Sequence, residues 1–87
     1  MNEEDMAKDP QVRLLIYASL SRLVGFWTDE LCDIEVHGSS LNIFPSRTLN
    51  RPTKERLGKA LSKLGAVHRS EGYWTWWTLP MIRLGGD

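Results

Sequence analysis

An α+β fold, three helices followed by a two-stranded hairpin in the order of a winged helix-turn-helix, is predicted by three features of this sequence. Between Thr53 and Gly65 apolar residues recur at helical spacing, and a glycine ends the run. The segments AVHRS and YWTWWTLP, joined by Glu71-Gly72, then change to period two. Asp9-Pro10 opens a further helix near the start of the chain.

The 87 residues allow one domain, and a domain this small hides only about 60% of the surface its unfolded chain exposes. An enzyme cleft is not expected in so small a core. The predicted organisation is a flexible acidic tail over 1–8, a single winged-helix domain over 9–82 and a frayed end over 83–87. No internal repeat is visible.

In the first helix the aspartate accepts orphan amides, and the proline's missing N–H costs nothing in the first turn. Val12, Leu15, Ile16, Ala18, Leu20, Leu23 and Val24 form its apolar face, and Gly25 ends it, with Phe26-Trp27 folding back. Thr28-Asp29-Glu30 has the cap and first-turn acids of a second helix, carrying Leu31, Cys32 and Ile34 inward to about Val36. Residues 33–44 leave a second reading open. Ile34, Val36, Leu41 and Ile43 also alternate around His37-Gly38-Ser39-Ser40, the pattern of a hairpin. From Gly38 to Pro52 an extended turn is expected, with Leu41, Ile43, Phe44 and Leu49 dipping into the core.

The third helix takes Thr53 as its cap and buries Leu57, Ala60, Leu61 and Leu64. Gly58 costs about 1 kcal/mol relative to alanine in a helix interior, so a close approach by another backbone is expected there. In the hairpin Tyr73, Thr75, Trp77 and Leu79 point one way and Trp74, Trp76 and Thr78 the other, with Trp77 and Tyr73 expected inside.

Eleven basic and eleven acidic residues cancel, but they are segregated. Residues 1–35 hold eight acids against three bases, while Ser46 to Arg69 holds seven bases against Glu55 alone. A phosphate backbone feels that local field rather than the net charge. Arg56, Lys59, Ser62 and Lys63, with Lys54 at the first turn, are the expected major-groove contacts of the third helix. Arg47, Arg51, His68 and Arg69 are expected to meet phosphate or the minor groove, which orients the protein without reading sequence. Trp74 and Trp76 are candidates for stacking single-stranded bases or for an interface, beside the plainer reading that they close the core.

Other chemistries find little in the residues. Cys32 is the only cysteine, so no internal disulfide forms. His37, His68 and Cys32 lack ligand-pair spacing, Gly85-Gly86 has no following helix to cradle a phosphate, and the carboxylates read as a solvated face. No catalytic residue, metal or cofactor is expected. No apolar run approaches the roughly 18 residues of a membrane span, and MNEEDM lacks a signal peptide's basic start, so a cytoplasmic location is expected.

TKERLGKALSKLG followed by HRS-EG-YWTWWTLP resembles the winged-helix domains at the C-terminus of phage and plasmid primase-helicases and related mobile-element replication proteins. Leu57, Gly58, Lys59, Ala60, Leu61, Leu64, Gly65, Arg69 and Trp77 carry the resemblance, which covers about the last third of the chain. It implies DNA binding, duplex favoured and single strand also open, in replication or regulation. Either a homodimer or a place in a larger replication protein would fit. The chain shows no ATPase or primase motif, so only the DNA-contacting role carries over. The competing reading is a protein-interaction module using the acidic N-terminal half or the aromatic wing.

Overall fold

The computed structural model describes residues 9–85. The elements are α1 (Pro10–Val24), β1 (Cys32–His37), β2 (Ser40–Pro45), α2 (Arg51–Lys63), β3 (Val67–Glu71) and β4 (Trp74–Pro80), followed by a 3-10 turn over Met81–Gly85. The tail expected over 1–8 and the last two residues of the frayed end lie outside the described residues. Residues 83–85 belong to the closing turn, where Leu84 is buried.

Asp9 caps α1 as expected, its carboxylate accepting the Gln11 N–H at 2.9 Å, and Gly25 ends the helix. The buried stripe is Ile16, Tyr17, Leu20 and Ser21. Leu15, expected inside, is two-thirds exposed. The α2 cap is Asn50 rather than Thr53: its side-chain oxygen accepts the Thr53 N–H at 2.9 Å, so the helix starts earlier, with Pro52 in its first turn.

A winged helix does not form. The described residues form two α-helices and one four-stranded antiparallel sheet in the order β1-β2-β4-β3. The segment expected as a second helix is β1, because its residues alternate: Cys32 and Ile34 are buried and Val36 half-buried, while Asp33, Glu35 and His37 are exposed. A helix would turn Ile34 and Val36 about 200° apart and could not bury both against one surface. The hairpin alternative is therefore the correct one, with a ladder from Cys32↔Pro45 to His37↔Ser40. The extended turn expected after Gly38 is largely β2, with Leu41 and Ile43 buried and Phe44 on the opposite face. The expected wing is β3 and β4, integral to the same sheet through Leu41↔Leu79 and Ile43↔Trp77.

Both hairpins turn on two residues, Gly38-Ser39 and Gly72-Tyr73. In each the glycine comes first, with φ near +60°, and among the described residues no non-glycine has positive φ. That is the pattern of a II′ turn, whose twist matches paired strands. The fold is thus two successive helix-hairpin units with the second strand of each at the sheet centre. Tyr73, expected inside, is fully exposed because it is a turn residue.

Both helices cover one face of the sheet. Leu20, Ile34, Leu41, Ile43, Leu57, Leu61 and Leu79 form the centre of the core, with Trp77 half-buried at its edge. Gly58 of α2 admits the Trp77 indole, so the close approach is a side chain rather than a backbone. Among the described residues no buried side-chain polar atom lacks a partner and no helix is long and apolar enough to cross a membrane.

Candidate nucleic-acid interface

Because side chains alternate along a strand, the sheet has a second face, and neither α1 nor α2 lies on it. Its central rows come from β2 and β4: Ser40, Asn42 and Phe44 beside Trp74, Trp76 and Thr78. Phe44 and Trp76 stack with ring centroids 6.1 Å apart and planes inclined by 29°. Trp74, 60% exposed, continues the row toward the β2 end. Three large aromatic side chains therefore stand outside the core, on a surface open to solvent.

The cations around this row are specific. Arg47, in the loop after β2, places its guanidinium carbon 4.2 Å from the Trp74 ring centroid, a cation-π contact. Lys54, from the first turn of α2, shares a small cleft with Phe44, Arg47 and Trp74. Arg69 of β3 is cross-strand from Trp76. On the opposite flank, Asp33 pairs with Arg13 at 2.7 Å and Glu35 contacts His37 at 3.0 Å. The cations thus gather on the Trp74 and β3 side of the row, where Glu71, cross-strand from Trp74, is the acid beside them. Beside Phe44, the Thr78 hydroxyl donates to the Asn42 side-chain oxygen at 2.9 Å, which leaves the Asn42 amide N–H groups able to donate.

The remaining predicted residues do not form one surface with these. Arg56, Lys59 and Lys63 line a cleft between α2 and the end of α1 with Leu23, Val24 and Phe26, and Arg56 lies over the Phe26 ring at 4.4 Å. All three are exposed, and Ser62 is exposed beside them. Arg51 is held by Glu55 at 3.0 Å, one turn along α2. His68 and Arg69 are neighbours in sequence but face opposite sides of the sheet: His68 packs on Trp77 at 4.8 Å, on the helix side. The expected continuous surface of helix and wing is thereby split in two, a basic helical face and an aromatic sheet face. Phe44 and Asn42 are not expected at a site, because the stretch that forms β2 reads as a turn; the alternation of Leu41 and Ile43 against Asn42 and Phe44 is the signal that marks them.

Neither titrating group with a displaced pKa is poised for chemistry. Burial, then the nearby Asp33 and Asp29 carboxylates, push the Cys32 thiol up to about 12, and the thiol donates to the Thr28 carbonyl at 3.5 Å. Burial above all raises the Tyr17 hydroxyl, which donates to the Cys32 carbonyl at 2.8 Å. Among the described residues no three His, Cys, Asp or Glu side chains converge as metal ligands would.

No protein-family model matches the chain, and no curated protein and no solved structure matches it significantly.

Proposed function

We propose that this domain binds single-stranded nucleic acid across the open face of its sheet, with Phe44, Trp76 and Trp74 stacking bases and Arg47, Lys54 and Arg69 meeting phosphates. The observation that carries the reading is the row of three aromatic side chains on the one face that the helices leave bare. Trp74 is exposed and Trp76 half-buried, and neither belongs to the core, whereas each base stacked on an aromatic ring is worth about 1–3 kcal/mol. Arg47 supports it further. Its guanidinium carbon lies over the Trp74 ring, 4.2 Å from the centroid, where a base would stack, so an incoming base would displace the cation toward the adjoining phosphate.

A single strand suits this surface better than a duplex, since the aromatic row meets the flat faces of bases, which a duplex hides between its steps. The α2 cations sit in a helix packed on the sheet and divide between two clefts, so they offer less to a major groove than an isolated recognition helix would. A place in mobile-element replication or regulation is supported by the residue resemblance alone.

Fluorescence anisotropy with labelled oligo-dT, oligo-rU and a duplex tests the reading. The expected order is single strand over duplex, and about three phosphate contacts give a log K against log salt slope near −2, with a single-strand factor of about 0.7 per contact. Trp74→Ala and Trp76→Ala should each weaken binding about 5- to 150-fold. Equal affinity for duplex, or full affinity in both variants, contradicts it.

A further inference from the structure

The two outer strands of the sheet end differently. Along β1 two outward carbonyls are occupied by α1: Tyr17 donates to Cys32 at 2.8 Å and Arg13 to Ile34 at 3.2 Å. Such side chains block the edge against another strand. Along β3 every residue from Val67 to Glu71 is exposed, and among the described residues no hydrogen bond reaches its outer side. Glu71 and Trp74 close a two-residue turn, so Glu71, Arg69 and Val67 direct their backbone groups to β4. The N–H and C=O groups of His68 and Ser70 therefore point outward.

We propose that β3 pairs antiparallel with β3 of a second copy of this chain, Ser70 opposite Ser70, joining two sheets into one of eight strands. Charge selects this register among those a two-fold axis permits. Centring the pair on Arg69 would set two guanidiniums directly opposite in a close, non-hydrogen-bonded pair, which is unfavourable. Centring it on His68 sets Arg69 against Val67. With Ser70 at the centre, Arg69 of each copy meets Glu71 of the other, twice over, and exposed Val67 comes opposite the hairpin tip at Tyr73. His68 and Gly72 complete the ladder.

The pairing is independent of the nucleic-acid reading, but it would set two aromatic rows on one continuous surface. Arg69 would then stand between Glu71 of the second copy and a phosphate. A single strand pair buries less than the roughly 1,000 Å² of a stable interface, so a concentration-dependent dimer is expected rather than a permanent one.

Sedimentation velocity over a concentration series, without nucleic acid, tests the proposal. The wild-type chain should move from monomer to dimer by mass action. Ser70→Pro removes an outward N–H without touching a bond to β4, and it should stay monomeric with an unchanged circular dichroism spectrum. Should the proline variant not fold, Arg69→Glu carries the test: it should be monomeric, and Arg69→Glu/Glu71→Arg should restore the dimer. A monomer at every concentration, a dimer indifferent to Ser70→Pro in the folded protein, or failure of the charge exchange to restore association overturns it.

Discussion

Gly58 and Trp77 meet across the helix-sheet interface: a Cβ placed on Gly58 would stand 3.4 Å from Cζ2 of the indole. That distance is the near limit of ordinary contact, so one methyl fits and a larger side chain does not. Gly58→Ala should stabilise the domain by about 0.5–1 kcal/mol, because the helix gains the propensity that glycine withholds. Gly58→Leu should destabilise it by about 1–3 kcal/mol by displacing Trp77. Urea denaturation of both variants reads the two signs.

Ser21 and Thr28 form the buried link between α1 and the turn before β1. The Ser21 hydroxyl oxygen accepts the Thr28 N–H at 2.9 Å and lies 2.9 Å from the Thr28 hydroxyl. Ser21→Ala leaves a buried amide and a buried hydroxyl without their partner and should cost about 1–3 kcal/mol. Thr28→Val removes only the hydroxyl contact and should cost less. Chemical denaturation of the two single variants gives the order.

The Cys32 thiol makes stability depend on alkaline pH. Its folded-state pKa is raised from 9.0 to about 12, so the folded chain holds this proton where the unfolded chain releases it. The contribution is complete below pH 9.0 and is lost as pH rises toward about 12, at up to about 1.4 kcal/mol per pH unit. Tyr17, raised in the same sense, adds to the fall at higher pH. Denaturation across that range should show a shallower slope in Cys32→Ala, and native wild-type protein should resist thiol reagents.

Much of this fold is written locally. Asp9-Pro10, Gly25 and Gly65 mark helix ends that the structure keeps, and the alternation in YWTWWTLP assigns the two faces of β4 correctly. Over residues 28–45 the hairpin reading of 33–44 holds and the helix reading from Thr28 does not, for a physical reason. Thr28-Asp29-Glu30 is a convincing helix start, but Thr28 is committed to Ser21, a contact seven residues away. The pairings Ile34↔Ile43 and Ile43↔Trp77 on the helix-covered face then decide for strand, and a partner 34 residues away is invisible to local pattern. The site was half legible for the same reason: Trp74 and Trp76 were found from β4 alone, whereas Phe44 joins them only once β2 and β4 are neighbours.

The two candidate surfaces are separable by mutation. Arg56, Lys59 and Lys63 lie on the helical side, away from the aromatic row. Arg56→Glu/Lys59→Glu/Lys63→Glu should lower single-strand affinity less than about threefold at physiological ionic strength, where charges act over about 8 Å. An anisotropy titration beside Trp76→Ala makes the comparison within one series. A larger loss in the triple variant would transfer the binding role to α2.

The central claim is that the bare face of the sheet with its flanking cations, rather than the Arg56, Lys59 and Lys63 face of α2, meets the nucleic acid, and the four tryptophan indole N–H resonances report on it most directly. On titration with oligo-dT in an NMR experiment, the Trp74 and Trp76 indole signals should move together with the Asn42 and Arg69 side-chain signals, while those of Trp27 and Trp77 stay in place. Saturating binding that leaves Trp74 and Trp76 unmoved, or that moves Arg56, Lys59 and Lys63 instead, would contradict the account.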